Sequence, residues 1–286
     1  MKRLLAAVAV AALAACNPPA QQEAEAPAVQ LYALDCGRAN FANVDMFADD
    51  GSMAGQAREL MVPCFLIRHP DGDLIWDTGF PDAVAGMPGG QLQIPQMGAT
   101  VTLTTTLAAQ LERLGLMPAD IEFFSFSHMH GDHTGNGNLF AAASTWIVDA
   151  DERAAMFAAD ARASQEFAGY AQLENAQATL IEGDAEHDVF GDGSVRIIQA
   201  PGHTPGHAVL LVTLANAGPV LLTGDMWHLA ESRERRLVPR FNVDRAQTIA
   251  SMDKVEALAA ETNARVIRQH VAEDIAALPR FPEALN

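Results

Sequence analysis

The chain has 286 residues, with 36 acidic and 18 basic side chains and a formal net charge of −18 at pH 7. A protein this acidic repels phosphate backbones and anionic lipid, which argues against nucleic acid as a partner and against purely electrostatic membrane binding. The length allows one large domain or two small ones. Because the sequence contains no second linker and no internal repeat, we predict one domain.

The N-terminal residues have the composition of a targeting segment followed by a tether. Lys2 and Arg3 precede an apolar run that is too short to span a bilayer. A Leu-Ala-Ala-Cys motif ending at Cys16 then resembles the lipobox of bacterial lipoproteins, which implies cleavage before Cys16 and lipidation of that cysteine. We predict a signal peptide over 1–16 and a flexible tether over 17–28, with an ordinary signal peptide as the alternative.

The lipobox implies a location as well as a modification. The protein is predicted to reside in the bacterial cell envelope as a periplasm-facing lipoprotein of the outer membrane. Its acyl chains would be the only membrane attachment, since the acidic surface does not favour anionic lipid. The oligomeric state stays open, with a homodimer as one alternative.

Residues 29–286 are predicted to form an α/β domain. Predicted strands lie at 30–36, 63–68, 74–77, 121–126, 145–148, 179–181, 195–198, 208–214, 220–223 and 265–268, and predicted helices lie at 105–114, 151–171 and 244–261. The segments 38–60 and 81–100 are predicted to be long loops that carry apolar side chains. Strands that occur partly as hairpins and partly between helices favour a mixed α/β sandwich over a doubly wound parallel sheet.

Two cysteines remain after Cys16, and each lies in an apolar run near the start of the domain. Cys36 belongs to the first predicted strand and Cys64 to the second. In an oxidising periplasm they could form a disulfide, and two buried free thiols are the equal alternative. Neither cysteine has the spacing of a metal site.

Four potential metal ligands occupy six positions, at His128, His130, Asp132 and His133. They follow the strand predicted at 121–126 and precede a glycine-rich turn, so their side chains lie where a strand opens into a loop. Imidazole nitrogen and carboxylate oxygen suit zinc, and other first-row divalent metals are alternatives. His128 and His130 can hold one ion, and Asp132 with His133 can hold a second.

Three further ligand-type residues follow the ends of later predicted strands, namely His203, Asp225 and His270. Side chains delivered from the same ends of several strands can converge on one cleft. Together with the first cluster they would complete a three-histidine site and an Asp-His-His site, with one carboxylate between the two sites.

The order of these residues resembles the metallo-β-lactamase superfamily. The segments around Cys36 and Cys64, and Trp76-Asp77-Thr78-Gly79, are similar to its N-acyl-homoserine lactonase group. The resemblance implies a four-layer αβ/βα sandwich with a dinuclear site at one sheet edge. It also implies the ligand set: His128, His130 and His203 for the first metal, Asp132, His133 and His270 for the second, and Asp225 as the bridge.

The chain departs from the lactonase group at one position. Where that group has a substrate-facing tyrosine three residues after the bridging aspartate, this chain has His228. The resemblance therefore implies that His228 donates a hydrogen bond to the developing oxyanion, or that the substrate differs. Of the other histidines, His207 is predicted to be structural or to support a ligand, and His69 and His187 to be surface or turn residues.

The resemblance implies a hydrolase with two zinc ions that opens the ring of N-acyl-homoserine lactones, which is a quorum-quenching activity. The two ions, roughly 3.5–4 Å apart, would share a water that becomes the nucleophilic hydroxide. Asp132 would pass a proton to the leaving oxygen. Apolar side chains of 38–60 and 81–100 would either line an acyl-chain site or only pack within the loops.

Other functions fit the same residues. An aryl ester, a phosphotriester or a thioester could be hydrolysed at this site. A β-lactamase is less favoured, because Asp225 resembles a bridging carboxylate that those enzymes generally lack. From a different class, the chain could be a metal-binding lipoprotein that captures a ligand without turnover.

Overall fold

The computed structural model describes residues 28–286, so the predicted signal peptide, with Cys16, and the tether up to residue 27 lie outside the described residues. The strands are β1 Gln30–Phe41, β2 Arg58–His69, β3 Gly72–Trp76, β4 Gln91–Ile94, β5 Ala99–Thr102, β6 Phe123–Ser125, β7 Thr145–Asp149, β8 Ala178–Ile181, β9 His187–Asp188, β10 Val195–Gln199, β11 Ala208–Leu214, β12 Gly218–Leu222 and β13 Arg265–Ile267. The helices are α1 Leu107–Arg113, α2 Gly131–Thr134, α3 Ala150–Met156, α4 Ala159–Ala163, α5 Ser232–Arg235, α6 Arg245–Thr262 and α7 Ala272–Ala276. In the part of the chain that is described, none of the helices is long and apolar enough to cross a membrane.

The strands form two mixed sheets. One has eight strands in the order β4-β5-β1-β2-β3-β6-β7-β8, and the other has five in the order β13-β12-β11-β10-β9. The strands β1, β2 and β3 pair antiparallel, whereas β3, β6, β7 and β8 pair parallel. This mixture of hairpins and helix-linked strands is the arrangement that the sequence predicts.

Side-chain alternation along the central strands builds two hydrophobic layers. In β2, Phe65 and Ile67 face the second sheet, while Cys64 and Leu66 face the helices that cover the first sheet. A strand buried on both faces reads as a continuous apolar run, which explains its sequence. Replacing Phe65 with alanine would leave a cavity and cost about 3–5 kcal/mol.

Helices cover the outer face of each sheet. Leu107 and Leu111 of α1 pack on the eight-stranded sheet, and Met252 and Val255 of α6 pack on the five-stranded sheet. Asp244 caps the N-terminus of α6, because its side chain accepts a hydrogen bond from the backbone of Gln247. The layers therefore run helix, sheet, sheet, helix, and the expected four-layer αβ/βα sandwich is confirmed.

Two predicted loops contain more strand than the sequence indicates. A register shift between Asp35 and Arg38 lets β1 continue to Phe41 and pair with β5. The local bulge interrupts the alternation on which a strand prediction depends. The segment predicted as a loop at 81–100 contains β4 and the start of β5, and β2 begins five residues before its predicted start.

The prediction of a single helix over 151–171 is wrong, since α3 and α4 are separated by the extended backbone of Ala158. The rings of Phe157 and Phe167 pack edge to face with their centroids 6.1 Å apart. In a continuous helix, residues ten apart would be separated by about 15 Å. Tertiary packing of the aromatic rings therefore overrides the helix propensity of the alanines.

The alternatives left open for the two cysteines are resolved in favour of pairing. Cys36 of β1 and Cys64 of β2 form a disulfide across neighbouring strands. Both residues are buried within the hydrophobic layer beneath α1. The disulfide therefore links β1 covalently to β2 beneath α1.

Candidate metal centre

The predicted metal ligands converge from the carboxyl ends of four strands. His128 and His130 follow β6, His203 follows β10, Asp225 follows β12 and His270 follows β13. The first ligand group is His128, His130, His203 and Asp225, the second ligand group is Asp132, His133 and His270, and within each group the ligand atoms lie within 4.8 Å of one another. The structure thus brings all seven predicted ligands together.

Short backbone features place the two groups side by side. His130 has extended backbone angles, and the single turn of α2 that follows it carries Asp132 and His133. The ring centroid of His133 lies 4.2 Å from that of His128. At Gly224, just before Asp225, the backbone has φ of +50°, and a Cβ there would overlap the side chains of His207 and Ser127. Only glycine allows Asp225 to approach the histidines so closely.

The first ligand group has the dimensions of a zinc site. The Nδ1 atom of His130 lies 2.7 Å from Nε2 of His128 and 3.1 Å from Nε2 of His203. Oδ2 of Asp225 lies 3.4 Å from Nε2 of both His128 and His203. Ligand atoms around a tetrahedral zinc ion, with bonds of about 2.0–2.1 Å, are about 3.3 Å apart.

The second oxygen of Asp225 faces the second ligand group. Oδ1 lies 2.8 Å from Nε2 of His270 and 3.2 Å from Nε2 of His133. Oδ2 of Asp132 lies 3.7 Å and 3.8 Å from the same two nitrogens. One carboxylate therefore presents one oxygen to each group, as the resemblance implies for a bridging ligand.

Buried donor atoms of the site lack hydrogen-bond partners, and two imidazoles of the first ligand group are in the neutral state that a divalent cation requires. Nε2 of His133 and Oδ1 of Asp225 are buried without a hydrogen-bond partner, which is costly unless another group satisfies them. Burial lowers the pKa of His130 to about 3 and holds that of His128 well below its usual value. Both imidazoles are therefore neutral, with lone pairs free for a metal.

Asp77, which the sequence reading did not assign, supports the second ligand group. Its carboxylate accepts hydrogen bonds from the backbone of Ser127 at 2.6 Å and from the side chain of Gln269 at 2.7 Å, and it lies 3.0 Å from Nδ1 of His133. A positive φ of 59° turns this residue into the site. By accepting from Nδ1, Asp77 leaves Nε2 of His133 to face the metal position.

Other ligands are oriented in the same manner. Nδ1 of His203 lies 2.7 Å from Oδ1 of Asn242, and Nδ1 of His270 donates to the carbonyl of Met61 at 2.6 Å. His207 supports Asp225 rather than joining the ligands, since its Nε2 accepts a hydrogen bond from the Asp225 backbone at 3.0 Å. The contacts of His203 and His270 fix which ring nitrogen of each is available to a metal.

Glu152, in α3, is a second supporting carboxylate that the sequence reading did not single out. It is 3% exposed and accepts hydrogen bonds from the backbone of Met129 at 2.6 Å and of Gly206 at 2.7 Å. Burial raises the pKa of Glu152 to about 7, against the lowering effect of these amides. An acidic residue in an alanine-rich helix ordinarily lies on a solvated face, so its sequence context gives no signal of this role.

His228 lies beside the ligands but belongs to neither group. Its Nε2 is 2.9 Å from Oδ2 of Asp225, and the side chain is buried against Phe47, with ring centroids 5.0 Å apart. Burial lowers the pKa of His228 to about 4 despite the nearby Asp225 carboxylate, so the imidazole is neutral at pH 7. Its Nε2 is buried, and despite this short distance it has no partner of hydrogen-bond geometry within the described residues.

The apolar side chains of the two predicted loops mostly pack on one another. Phe41, Phe47 and Met53 are buried in a hydrophobic cluster with Val84 and Val101. An exposed ring over the metal position comes from a later loop, where Phe241 is 37% exposed and its centroid lies 5.7–5.9 Å from those of His203, His228 and His130. Packing within the loops therefore accounts for most of these side chains.

The two remaining histidines lie away from the metal centre. His187 is half-buried in β9. His69 ends β2 at the predicted turn, where its Nδ1 accepts a hydrogen bond from the backbone of Asp71 at 3.1 Å, so it is a turn residue, one of the two alternatives predicted. Its ring stacks on Phe190 with centroids 4.1 Å apart, and its side chain is only 3% exposed.

Sequence and structure comparisons identify the relatives of this fold and ligand set. The profile of the metallo-beta-lactamase superfamily matches residues 57–270. The N-acyl homoserine lactonase AttM of Azorhizobium caulinodans is 32% identical over 268 residues, which cover 90% of this chain and 97% of that protein. The chain belongs to the metallo-β-lactamase superfamily, and the expected class of metal-dependent hydrolase is confirmed.

Solved structures share the fold. An N-acyl homoserine lactone hydrolase with N-hexanoyl-L-homoserine at its catalytic metal center has a TM-score of 0.76 and 24% identity, covering 90% of this chain and 98% of its own. The dizinc quorum-quenching lactonase AidC, in complex with a product, has a TM-score of 0.61 and 19% identity, covering 90% of this chain and 89% of its own. At these identities the likeness establishes the fold alone.

Proposed function

We propose that the chain hydrolyses the lactone ring of N-acyl-homoserine lactones with two zinc ions, one at each ligand group. The observation that carries this proposal is the position of Asp225, whose two carboxylate oxygens face different groups of imidazoles. The curated relative with 32% identity is an N-acyl homoserine lactonase, which supports the substrate class. Other first-row divalent metals suit the same donors.

The metals and the chain have separate tasks in this reaction. Two divalent cations held by the two ligand groups would lower the pKa of a water to near neutral and would polarise the ester carbonyl. The side chain of Asp132 is 27% exposed, unlike the other carboxylate of the site, so it can reach a substrate and pass a proton to the leaving oxygen. The neutral imidazole of His228 can donate a hydrogen bond to the carbonyl oxygen as negative charge develops there.

The substrate proposal is tested with a panel of lactones and esters on zinc-loaded protein comprising residues 29–286. We expect an N-acyl-homoserine lactone to be opened to its hydroxy acid, measured by proton release, with a higher kcat/KM than an aryl ester, a phosphotriester or a thioester. A higher kcat/KM for one of those three substrates would replace the lactonase assignment. Binding without turnover of any substrate would favour a ligand-capture protein.

The number of ions is tested separately by elemental analysis of protein loaded with zinc or cobalt. We expect about two equivalents per chain, because the seven donors divide into two groups that share one carboxylate. A fully active enzyme with one equivalent would contradict the dinuclear site. Zinc and cobalt forms compared in the same assay identify the better metal.

We also propose that the protein is a lipoprotein facing the periplasm, anchored in the outer membrane through Cys16. The Cys36–Cys64 disulfide supports an oxidising compartment, since disulfides persist outside the cytosol. Replacement of Cys16 by serine should release the protein from membranes or leave it unprocessed. If that variant is still found processed and membrane-bound, the lipid anchor is wrong.

A further inference from the structure

A buried carboxylate connects the two loops that supply the imidazoles of the first ligand group. Oε1 of Glu152 accepts the backbone N–H of Met129, the residue between His128 and His130. Oε2 of Glu152 accepts the backbone N–H of Gly206, three residues after His203. The two oxygens of one side chain therefore set the distance between these loops.

The start of α3 is capped independently of Glu152. Asp149 precedes the helix, and its Oδ1 accepts the backbone N–H groups of Asp151 and Glu152 at 2.8 and 3.0 Å. The Glu152 side chain is thus free to extend away from its own helix. Its two backbone partners belong to other segments, and each of those segments carries a ligand.

Burial of this carboxylate is costly. Among the described residues, no lysine or arginine forms an ion pair with Glu152, so backbone amides are its hydrogen-bonding compensation. Desolvation of a carboxylate without a cationic partner is unfavourable, and burial accordingly raises the pKa of Glu152. An apolar side chain at this position would avoid that cost, but it could not hold the Met129 and Gly206 amides.

We propose that Glu152 is a positioning residue, which fixes His128, His130 and His203 at the mutual distances that the first metal ion requires. It acts through the backbone of both loops and does not contact the metal. The inference rests on the two-ion site of the proposed function, and it names a residue that is neither a ligand nor a substrate contact.

The test is Glu152→Gln. A glutamine amide has one acceptor oxygen and one NH2 group, so whichever way it turns, one of the two backbone N–H groups faces a donor. We expect the affinity for one of the two metal equivalents to fall about 10–100-fold, as is typical when an outer partner of a ligand is lost. Chelator competition measures this affinity, and the visible spectrum of cobalt(II) protein reports the changed ligand geometry.

Asp82→Asn is the matched control. The Asp82 carboxylate also accepts two backbone amides from another segment, those of Leu107 at 2.7 Å and Ala108 at 3.4 Å, but that segment carries no predicted ligand. This variant should bind both equivalents as the parent does. An equal fall in affinity for Asp82→Asn would show a general loss of stability and overturn the positioning role.

Two further results distinguish positioning from a purely structural role. If Glu152→Gln melts at a lower temperature without metal but keeps parent affinities and the parent cobalt spectrum, the proposal is wrong. If that variant does not fold, Glu152→Asp takes its place, since the shorter carboxylate keeps its charge but cannot span both loops. Parent affinities in Glu152→Asp, or its failure to fold without metal, would likewise refute positioning.

Results that contradict the proposed function differ from those that contradict the role of Glu152. Parent protein that binds two equivalents but opens no lactone would remove the substrate proposal and leave the Glu152 comparison intact. If the parent protein binds a single metal equivalent, the two-ion site is wrong. The effect of Glu152→Gln would then be measured on the affinity for that one ion.

Discussion

The two ligand groups share Asp225 but are held in different ways. In the second ligand group, Asp77 contacts the ring of His133 directly and reaches the His270 segment through Gln269. In the first ligand group, Glu152 accepts backbone amides on either side of the site. Asp77 therefore orients a ligand ring directly, in addition to its bonds with Ser127 and Gln269, whereas Glu152 acts only through the backbone of two loops.

This difference determines how the loss of each supporting carboxylate should affect metal binding. Removing the partner of one imidazole changes its tautomer preference and its orientation, and the other ligands stay in place. Releasing a loop changes the positions of all the ligands that it carries. The two supports should therefore affect different metal equivalents.

The largest effect should come from Asp225, which both groups share. Asp225→Asn leaves one neutral oxygen where two charged ones faced His203 and His270. We expect at least one metal equivalent to be lost and activity to fall by more than the about 100-fold typical of an outer partner. Elemental analysis and lactone turnover measure both. Two bound equivalents at the parent rate would refute the bridge.

Asp77→Asn should have the next largest effect. Its NH2 group would face the donors of Ser127, His133 or Gln269, so we expect about 10–100-fold weaker binding of one metal equivalent. If the two supports are independent, the free-energy effects of Asp77→Asn and Glu152→Gln on metal binding should add in the double variant. Strong non-additivity, measured by chelator competition, would contradict separate supports for the two groups.

The ligands and the supporting His207 could be predicted from sequence, whereas the supporting carboxylates Asp77 and Glu152 could not. His128, His130, Asp132 and His133 are close together in the chain, and each later ligand follows an apolar strand. By contrast, Asp77 and Gln269 are 192 positions apart, and their hydrogen bond depends on the position of each strand within its sheet. No local pattern encodes such a contact.

The fold shows the same division. Strands β2 and β11 could be predicted from the sequence, because burial on both faces leaves a continuous hydrophobic segment in each. The break between α3 and α4 could not be predicted from the sequence, since it depends on the packing of Phe157 on Phe167. The bulge in β1 likewise depends on its partner strands.

His228→Phe should have a smaller effect, on turnover alone. Phenylalanine fits beside Phe47 and Phe241 but cannot donate a hydrogen bond to a developing oxyanion. Loss of one such donor costs about 10²–10³ in kcat, and because the metals share the charge here, we expect about tenfold or less. Metal content should stay the same, since His228 belongs to neither ligand group.

His228→Tyr is the paired variant, because tyrosine restores a donor at this position. We expect it to recover much of the lactonase activity that His228→Phe loses. A His228→Phe variant as fast as the parent would contradict the donor role. Loss of a metal ion in either variant would instead place His228 among the ligands.

The smallest expected effect is on acyl-chain binding at Phe241. Its ring is exposed over the first ligand group, and an acyl chain that covers about 40 Å² of it would gain roughly 1 kcal/mol, or about fivefold in KM. Phe241→Ala should raise KM for a long-chain lactone by about that factor and leave kcat and metal content unchanged.

Val243→Ala, two residues away and 64% exposed, is the control for general loss of loop surface. Because a short acyl chain covers less of the ring, its KM should change less. Equal changes for short and long chains, or an equal effect of Val243→Ala, would show that Phe241 does not contact the acyl chain.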